Sequence, residues 1–222
     1  MNDDLTLAAV DRDGTVAETL GALHGSTRAD LFRGALVGSA AFLAAAATPA
    51  SAEGDADIAI LNFALSLEYL QEAFYDEVEQ IGALRGALLQ QARTVAAHER
   101  AHVKAFRATL GDRAIARGRF DFRGATEDAL RFRRTAVAFE DLAVAAYKGQ
   151  APLIRRRAYL VPALAIHAVE ARHAAWIRRL AGISPAASAF DEPRSKRSTL
   201  AIVDATHFVM QTKSRRKPRF TG

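Results

Sequence analysis

The sequence contains no cysteine. Disulfide bonds, thiolate zinc sites, iron–sulfur clusters and cysteine nucleophiles are therefore excluded for this chain. Any bound metal must be held by carboxylates and imidazoles, a ligand set that suits iron, manganese or zinc. Runs of β-branched residues are also scarce, whereas alanine is abundant, and this composition favours helices over sheets. With 222 residues, the chain is long enough for one domain with a sizeable core.

Long apolar runs are lacking as well. Residues 34–48 are apolar and small, but this stretch is too short to span a membrane. Because the small residues Ala50–Ala52 follow it, residues 1–52 are predicted to be an export signal with an acidic N-terminal extension. Residues 27–32 resemble a twin-arginine motif in which Ala29 replaces the second arginine, which leaves the export route open. The expected location is periplasmic or secreted, and the alternatives are a buried helix or a retained anchor.

Acidic residues are fewer than basic residues, and the formal net charge is +5. Removing residues 1–52 takes away three basic and six acidic residues and raises the charge to +8. Residues 183–222 form a basic tail that ends in the run Lys213–Arg219, and we expect this tail to contact an anionic envelope surface. The basic side chains are not interleaved with aromatic residues, so no specific nucleic-acid partner is predicted.

Two Glu-x-x-His motifs, each preceded by a lone glutamate, are the most informative feature of the sequence. The first set is Glu68, Glu99 and His102, and the second is Glu140, Glu170 and His173. The spacings between the two glutamates of each set, 31 and 30 residues, nearly match. Residues i and i+3 share one face of a helix, so each pair can aim both side chains inward. Two such pairs and one glutamate from each of two further helices form a di-metal site in carboxylate-bridged four-helix bundles.

All four glutamates lie on apolar stripes of their predicted helices. Leu61 and Leu65, for example, share a face with Glu68. An isolated buried charge is costly, and four buried carboxylates satisfy one another poorly without cations. Two divalent ions would balance four carboxylates. For this reason a metal site is preferred to a purely structural polar core, although any one of these residues alone would indicate a solvated glutamate or a hydrogen-bonded core histidine.

A weak internal repeat accompanies these motifs, because Glu68 and Glu140 are each followed by a leucine after two residues and a tyrosine after seven. The stretches LNFALSLEYLQEAFYDE, AHERAH, AFEDLAVAAYKGQAP and AIHAVEARHAAWIRRL resemble the ferritin-like superfamily. They are most similar to its secreted bacterial branch, which includes desiccation-related proteins. The resemblance covers about residues 57–182, with a looser match near the C-terminus.

The expected fold is all-α: a ferritin-like antiparallel four-helix bundle over residues 53–182, with a long crossover at residues 111–125 between the second and third helices. The predicted helices are Asp57–Gln80, Leu84–Leu110, Thr126–Lys148 and a fourth from Pro152 to Ala181 with a kink or late start at Pro162. Asp55 or Asp57 is expected to cap the first helix. The tail is expected to contain one short helix at Thr199–Phe208.

The resemblance implies the roles of the six residues. Glu99 and Glu170 would bridge two iron ions, or two manganese ions, while His102 and His173 would bind one ion each. Glu68 and Glu140 would be terminal ligands. Implied reactions are iron(II) oxidation, peroxide removal or an oxidase step with dioxygen or peroxide as partner. The alternative is a non-enzymatic envelope stress protein, and association with further copies of the chain is left open.

Residues 98–102 also match the zinc-peptidase motif H-E-x-x-H, in which His98 and His102 would bind zinc and Glu99 would act as base. No recognisable third zinc ligand follows, and Val169 occupies the position of His98 in the second half. The peptidase interpretation is therefore disfavoured. The remaining polar residues near the motifs are assigned to the surroundings of the ligands. His98 and His167 are predicted to be outer donors or gate residues, and Glu72 and Asp141 to orient the imidazoles. Tyr75 and Tyr147 are predicted to be core aromatics, with radical or hydrogen-bonding roles as the alternatives.

Overall fold

The computed structural model describes residues 52–210, which form five helices and one pair of short strands. The helices are α1 (Ala52–Ile81), α2 (Gly86–Leu110), α3 (Ala129–Gln150), α4 (Arg157–Leu180) and α5 (Lys196–Thr206). The strands are β1 (Arg119–Phe120) and β2 (Val209–Met210), and 3-10 turns occupy Gly111–Arg113 and Ala151–Leu153. The predicted export signal, apart from its last residue, and the basic run at the end of the tail lie outside the described residues. Within residues 52–210, no helix has the length and apolar character needed to cross a membrane.

Four of the helices form the bundle. Helix α1 packs mainly against α2, and α3 packs mainly against α4, and each pair is joined by a short connection. Tyr147 of α3 contacts Glu68 of α1, while Glu140 of α3 contacts Tyr75 of α1. Because residue numbers rise along one helix as they fall along the other, α1 and α3 are antiparallel. Helices α2 and α3 are then parallel, which requires the long crossover. The predicted all-α bundle is confirmed.

The first and fourth helices differ from their predicted bounds. Helix α1 begins at Ala52, five residues earlier than predicted, so Asp57 lies inside the helix. The prediction that Asp55 or Asp57 caps α1 is wrong because both lie inside the helix, and the buried carboxylate of Asp57 accepts hydrogen bonds from the backbone N–H groups of Arg155 and Arg156. Helix α4 begins at Arg157 and contains Pro162 in its second turn.

Helix α3 begins at Ala129, three residues later than predicted. The Asp128 carboxylate accepts hydrogen bonds from the backbone N–H groups of Leu130 and Arg131, and it therefore caps the helix.

The C-terminal segment is tied to the crossover and to α3. Strand β2 pairs antiparallel with β1, an element that the sequence analysis did not predict. The predicted short helix of the tail exists, but it spans Lys196–Thr206 and packs against α3. The backbone of Arg194 lies so close to α3 that a Cβ atom added at Gly149 would stand 2.1 Å from the Arg194 carbonyl oxygen. A glycine is needed at this crossing.

The core consists of two apolar clusters. The first is rich in aromatic rings, with Phe74 packed against Phe122, Phe132 and Phe139 at centroid distances of 5.1–5.5 Å. The second includes Leu65, Phe106 and Ile166 among its members. On α2 and α4 the Glu-x-x-His motifs lie between residues of the two clusters. The bundle therefore holds a polar layer between two layers that exclude water.

Candidate metal centre

All six residues predicted as ligands lie in the interior of the bundle. The four glutamates have no solvent-exposed surface, and His102 and His173 are 9% and 2% exposed. Each of the four bundle helices contributes to the set, because α2 and α4 carry the Glu-x-x-His motifs while α1 and α3 carry the lone glutamates. The expectation that apolar stripes turn these side chains inward is met at every position.

The six side chains form two groups that could each hold a metal ion. The first group is Glu68, Glu99, His102 and Glu170, and the second is Glu99, Glu140, Glu170 and His173. Within each group, one ligand atom from every residue lies within 4.8 Å of the others. Glu99 and Glu170 are members of both groups.

The imidazoles face the carboxylates through their Nδ1 atoms. His102 Nδ1 lies 3.1 Å from Glu68 Oε2 and 3.2 Å from Glu170 Oε1. His173 Nδ1 lies 3.2 Å from Glu99 Oε1 and 3.5 Å from Glu140 Oε2. A single imidazole nitrogen can donate only one proton, so one nitrogen surrounded by several carboxylate oxygens resembles a ligand arrangement more than a hydrogen-bond network.

The orphaned polar atoms of the site also suit a cation. Among the described residues, both carboxylate oxygens of Glu99, Oε1 of Glu170 and Nδ1 of His173 are buried without a hydrogen-bond partner. Their short mutual distances therefore do not correspond to aligned hydrogen bonds. Buried polar groups are normally paired, because an unpaired group retains its full desolvation penalty. Carboxylate oxygens and imidazole nitrogens that converge in this way could hold a metal ion.

Without a cation, the interior must balance its charge with protons. Burial and the negative charge of Glu170 raise the pKa of Glu99 well above its usual value. Burial acts to lower the pKa of His173, but contacts with Glu140, Glu170 and Glu99 outweigh it and raise that pKa to about 12. Burial also acts to lower the pKa of His102, but the neighbouring carboxylates outweigh it and raise that pKa well above its usual value. Burial favours the neutral form of Glu170, yet the close imidazoles of His102 and His173 hold its pKa below the usual range. Protons on the imidazoles thus take the place that metal charge would fill.

Two tyrosines hold the terminal glutamates across the bundle. The Tyr75 hydroxyl of α1 donates to Glu140 Oε1 of α3, and the Tyr147 hydroxyl of α3 donates to Glu68 Oε1 of α1. Burial and the neighbouring carboxylates raise the pKa of both hydroxyls well above 10, so both remain protonated donors at neutral pH. The hydrogen-bonding role considered for these tyrosines is the one that the structure shows.

His98 contacts the centre from outside. Its Nδ1 lies 2.8 Å from Nε2 of His173, and the two rings stack at a centroid distance of 5.1 Å. Desolvation of the ring and the nearby charges of His173 and His102 lower the pKa of His98 to about 4, although the residue as a whole is exposed. His98 is therefore a neutral partner at pH 7, as expected of an outer residue.

The zinc-peptidase arrangement is not supported by this geometry. His98 is in neither ligand group, whereas Glu99, the base in that interpretation, is in both. In zinc peptidases the two histidines of the motif must bind the same ion.

Two predicted outer residues were assigned wrongly. Glu72 and Asp141 do not orient the imidazoles, because they form ion pairs with Arg117 at 3.0 Å and with Arg178 at 2.6 Å. His167 stacks on Tyr147 at a centroid distance of 6.4 Å, and it is not in either ligand group.

Two buried glutamines near the centre were not predicted from the sequence. Gln71 Nε2 donates to Glu140 Oε2 at 3.3 Å and to Glu170 Oε2 at 3.5 Å. Gln91 is fully buried, and its amide lies near the Tyr75 hydroxyl without hydrogen-bonding to any described residue. Gln71 stands three residues after Glu68 on the same helix face, and this spacing was the signal that could have revealed it.

Comparison with known proteins agrees with the fold. The model of the ferritin-like domain family matches residues 56–182, which is more than half of the chain. The chain therefore belongs to the ferritin-like family. A search of curated proteins finds no match to the chain.

Proposed function

We propose that the protein binds two iron(II) or manganese(II) ions between the four bundle helices, and that it oxidises iron(II) with hydrogen peroxide or dioxygen. The observation that carries this proposal is the sharing of Glu99 and Glu170 by both ligand groups. Two ions held by these groups would be bridged by two carboxylates. Glu68 with His102 would complete the first group, and Glu140 with His173 would complete the second.

Iron(II) ions held there would supply one electron each to a single oxidant. The four carboxylates balance the charge of two divalent ions, and the tyrosines keep Glu68 and Glu140 oriented towards the centre. The apolar clusters on either side exclude bulk water. In the peroxide reaction, two iron(II) substrate ions lose one electron each, and hydrogen peroxide takes both electrons and two protons and leaves as two water molecules.

The test is an anaerobic loading with iron(II) followed by hydrogen peroxide, with iron(III) and residual peroxide both measured. We expect two iron(II) ions to be oxidised for each peroxide consumed, much faster than in buffer alone. Glu170→Ala is the matched variant, because it removes a member of both groups. A wild-type rate equal to that of iron in buffer would contradict the redox proposal. Absence of bound metal would instead favour the alternative of a non-enzymatic envelope stress protein.

The protein is further proposed to be exported. Support comes from the apolar stretch that ends in Ala50–Ala52, after which cleavage would leave the bundle intact from Glu53. N-terminal sequencing of the protein from envelope fractions should find a start at or near Glu53, and a chain that retains residues 30–50 would contradict this. If the twin-arginine route is used, Ala29→Arg should increase the exported fraction.

The basic tail is proposed to hold the exported protein at an anionic envelope surface. The run Lys213–Arg219 contains five basic residues and no acidic one. Deleting residues 211–222 should weaken sedimentation with anionic vesicles and leave sedimentation with neutral vesicles unchanged. Equal sedimentation of both forms with anionic vesicles would contradict this role.

A further inference from the structure

The duplicated halves of the chain support each other's ligands. Tyr75 belongs to the first half and contacts Glu140 of the second, while Tyr147 belongs to the second half and contacts Glu68 of the first. Each tyrosine follows the lone glutamate of its own half by seven residues. The surroundings of the two ligand groups are thus related by the same pseudo-symmetry as the repeat.

Two polar residues break this symmetry. Gln71 stands three residues after Glu68 and donates to Glu140 and Glu170. The equivalent position, three residues after Glu140, is Ala143. An alanine side chain has no donor to offer, so the counterpart of the glutamine contact cannot form in the Glu68–His102 group.

The second break is His98, which stands directly before Glu99. Its counterpart before Glu170 is Val169. His98 contacts Nε2 of His173, whereas no described side chain contacts His102 in the equivalent way. His102 also remains more accessible, because its side chain is 11% exposed while that of His173 is 3% exposed.

The His98 contact fixes how His173 can bind a metal. The Nδ1 atom of His173 faces the carboxylates, and its Nε2 atom lies 2.8 Å from Nδ1 of His98. An imidazole that binds a metal through Nδ1 carries its proton on Nε2, so it donates that proton to His98. A partner for the second ring nitrogen orients a ligating histidine and makes it a stronger ligand, and loss of such a partner typically weakens metal binding by about 10-fold to 100-fold.

We propose that the two metal positions are unequal: the ion in the Glu140–His173 group binds first and stays resident, while the ion in the Glu68–His102 group binds more weakly and exchanges. This inference rests on the proposed di-metal centre and adds the assignment of the two roles. The exchanging position is then the one through which iron(II) enters as a substrate, and two iron(II) ions that enter in turn supply the two electrons of the reaction. Gln71 and His98 are positioning residues for the resident ion.

The test is anaerobic equilibrium dialysis of the full chain against iron(II), with stepwise binding constants for the wild type and three variants. His98→Val copies the residue of the second half, and His98→Gln keeps a hydrogen-bond acceptor. Val169→Ala changes the symmetry-related position as a control. We expect His98→Val to weaken the tighter step by about 10-fold to 100-fold. His98→Gln should recover most of this loss, and Val169→Ala should leave the tighter step unchanged.

Wild-type protein that binds two ions with equal site affinity would overturn the inference and leave the di-metal centre intact. Weakening of only the looser step by His98→Val would also overturn it. Wild-type protein that binds no iron would overturn the centre and the inference together. If circular dichroism shows that His98→Val fails to fold, Gln71→Ala provides the same comparison, and an unchanged tighter step in that variant would count against the assignment.

Discussion

The hydroxyl of Tyr147 donates a hydrogen bond to the carboxylate of Glu68, 79 residues earlier in the chain. Tyr75 and Glu140 form the corresponding pair in the opposite direction. Two antiparallel helices with the same Glu-to-Tyr spacing bring each tyrosine level with the other helix's glutamate. A heptad spacing in the sequence thus becomes a pair of crossed contacts that fix both terminal carboxylates.

Replacing either tyrosine with phenylalanine removes one of these donors and leaves a buried carboxylate oxygen unsatisfied. We expect Tyr75→Phe and Tyr147→Phe each to lower the free energy of unfolding by about 1 to 3 kcal/mol. Each should also weaken binding of the ion held by the affected glutamate by about 10-fold. Denaturant unfolding and metal titration measure the two effects. Buried Tyr159, whose hydroxyl faces Arg156 and not the centre, is the matched control. If Tyr75→Phe, Tyr147→Phe and the control Tyr159→Phe all bind metal with equal affinity, the role of Tyr75 and Tyr147 in orienting the ligands is contradicted.

The metal-free protein should lose stability as pH rises from 7 to 9. The folded-state pKa values of His102 and His173 are raised, so the folded state keeps protons that the unfolded chain releases above its ordinary histidine pKa of 6.5. For each proton that only the folded state retains, the free energy of unfolding falls by about 1.4 kcal/mol for every unit by which the pH rises. The raised pKa of Glu99 acts in the same direction. The lowered pKa of His98 has the opposite sign, but its effect falls between about pH 4 and 6.5.

Metal should reverse this dependence, because it binds the deprotonated ligands. Melting curves recorded with chelator and with manganese(II) across the same pH range provide the comparison. A melting temperature that is flat with pH in chelator, or that does not respond to metal, would argue against a proton-balanced ligand cluster.

Asp57 should be important for stability although it belongs to neither ligand group. Its two carboxylate oxygens accept hydrogen bonds from the backbone N–H groups of Arg155 and Arg156. These two bonds join the first turns of α1 to the segment just before α4. Asp57→Ala leaves both N–H groups without this acceptor and should cost about 2 to 3 kcal/mol. Asp57→Asn keeps one acceptor oxygen and should cost less. Denaturant unfolding ranks the two variants, and an alanine variant as stable as the wild type would show that this link is dispensable.

The crossing of the tail over α3 should be sensitive to one methyl group. A Cβ atom at Gly149 would lie 2.1 Å from the Arg194 carbonyl oxygen, so Gly149→Ala must displace the tail. We expect a loss of about 1 to 3 kcal/mol, as is typical of overpacking, and faster tryptic cleavage near Lys196. Gly118→Ala serves as the control, because its added methyl group would stand 3.4 Å from the ring of Phe120. Identical cleavage rates for the two variants would contradict the close packing of the tail.

The sequence was sufficient to predict the bundle and the six buried residues of the centre. Helix periodicity turns each Glu-x-x-His pair to one face, and the apolar residues on that face decide that it is buried. The start of α3 was predicted to within three residues, because the cap that Asp128 provides is a local contact. These features depend on residues within one or two helical turns of each other.

Contacts between distant segments could not be predicted in the same way. Asp57 has the chemistry of a helix cap, and only the packed bundle shows that its carboxylate bonds to the backbone before α4. Glu72 and Asp141 stand close in sequence to the lone glutamates, but arginines from elsewhere pair with them. The pairing of β1 with β2 involves only two residues on each strand, too few to produce a pattern of alternation.

The number of iron(II) ions bound per chain under anaerobic conditions tests the central claim most directly. The shared positions of Glu99 and Glu170 predict two ions per wild-type chain, a loss of both in Glu170→Ala, and a loss of one in Glu68→Ala, since Glu68 belongs to one group only. Circular dichroism confirms that each variant retains its helices. Wild-type protein that binds no iron, or a Glu170→Ala variant that still binds two ions, would contradict a di-metal centre bridged by these carboxylates.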